Sequence, residues 1–231
     1  MENQKKILVL AATAMFLIEV AFATNYYFFG DTTNASNSCP TLLNQTQIAS
    51  GIISRNATVS LTVSGSEDIE RYEVFGKDIV ELNSSMRQRT PAPQGYYAYA
   101  RVVHTKNRKS NSTSTHTDIQ LDYKITTILP EWNRTSGSPE LQLEWDRYIT
   151  ALRGHEEGHV RIFRAAIEKI KEVGDPDRVD EIFNASQVWS DDYDKITSHG
   201  ELQGARLGYS GTTNNYDSLI DSYINKITCI N

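Results

Sequence analysis

Two cysteines in 231 residues cannot build a disulfide-dense scaffold or a thiolate zinc site. Cations are in the minority, with 23 Lys and Arg against 29 Asp and Glu and a formal charge of −6. The chain therefore lacks the electrostatic footprint of a nucleic-acid binder, and no nucleic-acid partner is expected. The low hydrophobicity that marks disorder is missing too, because 39% hydrophobic and 10% aromatic residues can fill a core. No internal repeat is visible. The length favours one domain with at most a small appendage.

The one long apolar run stands at the beginning. Lys5 and Lys6 precede Ile7 to Ile18, Glu19 interrupts the run, and Ala21-Phe22-Ala23 offers small residues for cleavage. Residues 1–23 read as a secretory signal peptide. Ile7 to Ala23 is 17 residues, at the short limit for a spanning helix, so an uncleaved N-terminal anchor is the alternative. Either way the remaining chain is expected outside the cell or on its surface, with any membrane contact confined to that segment. Residues 24–50 are an Asn-, Ser- and Thr-rich lead-in. Asn34, Asn44, Asn56, Asn83, Asn111, Asn133 and Asn184 each open an N-x-[ST] sequon, which points to a glycoprotein. Cys39 and Cys229 are expected to form a disulfide tying the two ends, with two free or intermolecular thiols as the alternative.

Residues 51–231 carry the patterned domain. Thr58 to Val63 alternates polar and apolar, and Tyr72 to Gly76 is a second strand-like piece leading into a short helix from Asp78 to Met86. Tyr96 to Val103 and Asp118 to Ile128, joined by a polar loop, predict an antiparallel hairpin. Ser138 can cap a helix that starts at Pro139 and stops at Gly174-Asp175-Pro176. Large residues recur along it at Leu141, Trp145, Tyr148, Leu152, His159, Ile162, Ala166 and Ile170, a helical spacing. A second helix from Asp175-Pro176 towards Gly200 and a short terminal one from Tyr216 to Ile227 complete the pattern. The fold class expected is α+β: an antiparallel sheet followed by two packed helices.

Within the long helix lies His155-Glu156-Glu157-Gly158-His159, an H-E-x-x-H string. Four residues advance a helix by just over one turn, so both imidazoles leave one face and can meet one metal ion. Zinc suits two neutral imidazoles, a third ligand and an open position. Glu156 projects beside such an ion and can act as general base, moving a proton from water to a leaving amine. A helix of this kind behind a sheet is the zincin arrangement, in which an extended substrate pairs with a sheet edge.

A third ligand is needed. His104 and His116 sit at the ends of the hairpin and read as exposed strand-end residues. His199 closes the second helix and is the favoured candidate, because a returning helix can bring it beside the first. Glu181 is the next choice, giving a His-His-Glu site, and Asp194 also competes. Asp194 is equally a candidate to orient a ligating imidazole, and Tyr193 or Tyr209 to donate to an oxyanion.

The stretch from Leu129 to His159 resembles a family of predicted secreted zinc-dependent proteases, catalogued as a bacterial domain of unknown function. So do Tyr193-Asp194, Thr197, His199-Gly200 and Gln203-Gly204-Ala205, and the Tyr72-Val74-Gly76 strand leading to Leu82. The resemblance covers roughly residues 70–208 and implies His155, His159 and His199 as zinc ligands with Glu156 as base. The expected function is a zinc-dependent metallopeptidase acting on a peptide or protein substrate outside the cell. The competing expectation is a non-catalytic exported zincin-fold glycoprotein or binding module with a structural zinc.

Overall fold

Six consecutive buried residues, Ile125 to Pro130, decide the sheet. They belong to β3 (His116–Trp132), and a strand buried on both faces belongs in the interior of a sheet. In this computed structural model, which describes residues 58–93, 96–110 and 116–230, β3 is the central strand of three, in the order β1-β3-β2. The expected signal segment, the 24–50 lead-in, Cys39 with its bridge to Cys229, and the sequons at Asn34, Asn44, Asn56 and Asn111 lie outside the described residues.

The hairpin forms, with longer arms than the sequence pattern suggests, since Lys106 to Ser110, read as loop, continue the strand. β2 (Tyr99–Ser110) runs antiparallel to β3, with Tyr99 opposite Ile128 and Ser110 opposite Thr117. The sheet as a whole is not antiparallel, however. β1 (Thr58–Val74) lies parallel to β3, from Thr58 opposite His116 to Val74 opposite Trp132, so the sheet is mixed. The two strand-like pieces read in the sequence are one strand of 17 residues. A fully antiparallel sheet in chain order would have put β2 in the middle. β2 carries Arg101, Lys106, Arg108 and Lys109, which suit an edge open to water. The apolar β3 takes the centre instead, and β1 docks on its free side. Lys124 of β3 reaches Asp68 and Glu70 of β1 at 3.2 and 3.6 Å.

Helix α1 (Ile79–Arg89) follows β1, capped by the Asp78 side chain accepting from the Glu81 N–H. Helix α2 (Pro139–Val173) has the ends its sequence announces. Ser138 accepts from the Leu141 N–H, Pro139 opens the first turn, and Gly174 closes the helix at φ +64°. Helix α3 (Val179–Thr197) starts a few residues later than Asp175-Pro176 suggests. The Asp175 carboxylate accepts from the Asp177 N–H and its carbonyl from the Arg178 N–H, so residues 175–178 form a turn first. Helix α4 (Asp217–Thr228) ends the described chain. Four helices and one mixed sheet make the described fold α+β. Among the described residues no helix is long and apolar enough to cross a membrane.

Two apolar clusters hold the layers. Phe163, Ile162, Ile167 and Ile170 of α2 pack with Ile182 and Phe183 of α3, Ile220 and Tyr223 of α4, and Leu121 and Ile125 of β3. Trp132, Trp145 and Tyr148 form the spine of the other, with ring centroids 5.6 and 5.4 Å apart, against Leu82 and Met86 of α1. The core dominates the cap in energy. Phe163→Ala should cost about 3–5 kcal/mol, against about 1 kcal/mol for Ser138→Ala, measured by urea unfolding. Equal losses would mean that Phe163 is not the packing centre.

Candidate metal centre

Helix α2 carries His155 and His159 one turn apart, and α3 returns alongside to bring Asp194 between them. The His155 Nε2 lies 3.0 Å and the His159 Nε2 3.1 Å from the same Asp194 Oδ1, and the two nitrogens are 3.2 Å from each other. These donor atoms form a nearly equilateral triangle. A tetrahedral ion with bonds of about 2.0 Å needs ligand atoms about 3.3 Å apart, so the triangle fits such an ion. Both histidines are buried, at 3% and 4% exposure, while the Asp194 side chain keeps 29%.

The outer nitrogens settle what the inner ones offer. The His155 Nδ1 is 2.9 Å from the Gln203 Oε1, an acceptor, so the Nδ1 carries the proton and the Nε2 presents a lone pair. The His159 Nδ1 is 2.8 Å from the Ser190 Oγ and can donate in the same way. Three lone-pair atoms then face one another in a nearly closed space. That convergence is repulsive unless protons or a cation sit among them. With protons alone, burial disfavours a charged His155, but the Asp194 hydrogen bond, the Glu156 charge and the Gln203 hydrogen bond together outweigh it and the pKa rises. Burial likewise works against the Asp194 carboxylate, yet the hydrogen bonds from His155 and His159 hold its pKa well below the usual range. These residues together can hold a metal ion.

The surroundings press the triangle into place. The Tyr193 ring stacks on His155 at 5.0 Å and meets His159 edge-on at the same distance. Gly158 makes room for it, since a Cβ there would stand 2.6 Å from the Tyr193 hydroxyl oxygen. After α3 the chain turns through Ser198, His199 and Gly200 at φ 52°, 52° and 80°. Left-handed backbone costs about 1–3 kcal/mol at a non-glycine residue, and here the turn is pinned. The His199 N–H donates to the Asp194 carbonyl at 2.7 Å and the Gly200 N–H to the Thr197 hydroxyl at 3.2 Å. Only glycine fits the third position, where a Cβ would lie 2.8 Å from the His155 ring. This turn delivers Gln203 to His155.

Glu156 lies next to the triangle and close to the sheet. It is 4% exposed, and its carboxylate lies near the backbone N–H of Ala100 on the edge strand β2. Burial raises its pKa, and the neighbouring His159 and His155 partly oppose that rise. A raised carboxylate pKa makes a stronger base near neutral pH.

The remaining residues singled out from the sequence are placed as follows. His199 stands beside the triangle, its Nδ1 3.5 Å from the second Asp194 oxygen and its side chain 49% exposed. Glu181 is not brought to the centre. It pairs with Arg178 at 2.5 Å in the first turn of α3, thirteen residues from Asp194 and so about 20 Å along the helix. Tyr193 spends its hydroxyl on Gln203, 3.1 Å from the Oε1, and Tyr209 donates to the Thr212 carbonyl. His104 stacks on Phe183 and meets Asp180, and His116 meets Asp118. Ser190 and Gln203 were not assigned a role from the sequence. Ser190 had a signal, lying four residues before Asp194 and so on the same helix face.

Residues 69–200, more than half of the chain, match the family described as "Bacterial protein of unknown function (DUF922)", and the chain belongs to that family. No curated protein and no solved structure matches the chain.

The triangle makes a prediction about ligand order. Asp194→Ala should abolish stoichiometric binding of a divalent metal, read by calorimetry. His199→Ala should weaken it by no more than about 10–100-fold, the usual loss when a residue supporting a ligand is removed. The reverse ranking would make His199 the third ligand. Gly158→Ala should destabilise the fold by about 1–3 kcal/mol through overpacking against Tyr193.

Proposed function

We propose that this member of the DUF922 family is a zinc-dependent peptidase with a zincin-like arrangement of helix and sheet edge, acting outside the cell. One observation carries the reading. Two imidazoles and a carboxylate converge beside a buried glutamate that lies close to the edge strand of a sheet.

Zinc is the ion this donor set suits best, through His155, His159 and Asp194, with His199 supporting Asp194. Held there, zinc supplies Lewis acidity for a scissile carbonyl and for an attacking water. The protein's own groups do the rest. Glu156 takes the proton from the water and delivers it to the departing amine. The Ala100 N–H lies near that carboxylate, and burial keeps its pKa raised. Gln203 and Ser190 hold the imidazoles in the tautomer that leaves both Nε2 atoms free to ligate. An extended peptide or protein segment pairs as an added strand along β2, next to Glu156. Export rests on the N-terminal segment of Lys5, Lys6 and the apolar run. The exposed Asn133 and Asn184 are open to glycosylation.

The low exposure of both histidines also suits a structural zinc in a non-catalytic exported protein. One experiment separates the two. Purified protein should hold about one zinc per chain, and Glu156→Gln should keep the zinc while lowering cleavage of a peptide library by about 10²–10⁴-fold. Zinc without any cleavage by the wild type, together with a lower melting temperature on chelation, would establish the structural role instead.

A further inference from the structure

Hydrolysis of a peptide bond places negative charge on the carbonyl oxygen, and a donor waiting for that charge is a large part of catalysis. Tyrosine is a natural donor here, and three phenols are candidates. Tyr193 is engaged with the Gln203 amide at 3.1 and 2.9 Å. Tyr209 is engaged with the Thr212 carbonyl at 2.9 Å. Tyr96 remains, and its hydroxyl has no hydrogen-bond partner among the described residues.

Tyr96 also stands in the right place. Its ring centroid is 5.0 Å from that of His199, beside the half-open Asp194. Its backbone is fixed on both sides. The Thr90 hydroxyl donates to its carbonyl at 2.6 Å, and its own N–H donates to the Pro93 carbonyl at 3.3 Å. Four residues further on, the Ala100 N–H lies near the Glu156 carboxylate. One short stretch leading into β2 therefore carries both the N–H beside the base and a free phenol.

Resting on the peptidase reading above, we propose that Tyr96 is a catalytic residue whose phenol donates a hydrogen bond to the scissile carbonyl oxygen as that oxygen becomes an oxyanion. The water oxygen bonds to the carbonyl carbon and its proton goes to Glu156. The oxyanion, held by the Tyr96 O–H, then reforms the carbonyl as the C–N bond breaks. The amine leaves with the proton from Glu156, and Tyr96 keeps its own proton throughout.

The test uses the zinc-loaded full chain and a phosphinic dipeptide, whose tetrahedral anionic phosphorus mimics the oxyanion. Binding is measured by calorimetry for wild type, Tyr96→Phe and Tyr209→Phe. Tyr96→Phe should bind the phosphinate about 10–100-fold more weakly at unchanged zinc stoichiometry, with Tyr209→Phe equal to wild type. In turnover, kcat should fall about 10²–10³-fold with little change in KM. Equal phosphinate affinity for Tyr96→Phe and wild type would overturn the role of Tyr96 and leave the peptidase reading standing. Zinc uptake without any phosphinate binding by the wild type would overturn both.

Discussion

Three acceptor atoms within 3.2 Å of one another are the constraint around which the described structure is arranged. Nothing in two neutral imidazoles and a carboxylate draws them together unaided, so each is held from behind. Gln203 and Ser190 hold the rings, and the last turn of α3 holds Asp194. Tyr193 fills the space over both rings, and Gly158 and Gly200 supply the close approach on either side. A cation turns the mutual repulsion into attraction, and the assembly gains that energy only when the ion is present.

The sheet contributes through its order. Had β2 been central, its outer backbone groups would have been consumed by a neighbouring strand. As an edge strand it brings the Ala100 N–H near Glu156 and leaves room beside α2. The cationic side chains that keep β2 at the edge therefore also serve the site, at one step removed. The family match begins at residue 69 and ends at 200, so it takes in the three donors, Glu156, Ala100, Tyr96 and His199. Gln203 and helix α4 lie beyond it, although Gln203 fixes the tautomer of His155.

The residues that sequence reading located and those it missed differ in range. His155 and His159 follow from helical repeat alone, because residues four apart share a face whatever surrounds the helix, and Glu156 stands directly after the first of them. The ends of α2 are equally local, since Ser138, Pro139 and Gly174 act on the turn they belong to. The hairpin of β2 and β3 was legible for the same reason, in two alternating segments around one polar loop. The parallel pairing of β1 was not, because strand order compares the burial of segments far apart in the chain.

The third donor shows where local reasoning stops. Asp194 and His199 are five residues apart at the end of one helix, and either can ligate zinc. The sequence by itself determined that two imidazoles would share one face of α2 with a glutamate beside them, and that α3 would return a further candidate donor. Which side chain meets the imidazoles was decided by tertiary structure. The rotation of α3 against α2 puts the Asp194 Oδ1 between the two rings. The left-handed turn at Ser198 and His199 then sets the His199 ring outside it, next to Tyr96. That rotation is fixed by how Ile182, Phe183 and Tyr193 pack against Ile162, Phe163 and the bare backbone at Gly158. Such contacts depend on side-chain volumes brought together across the fold, and no single segment encodes them.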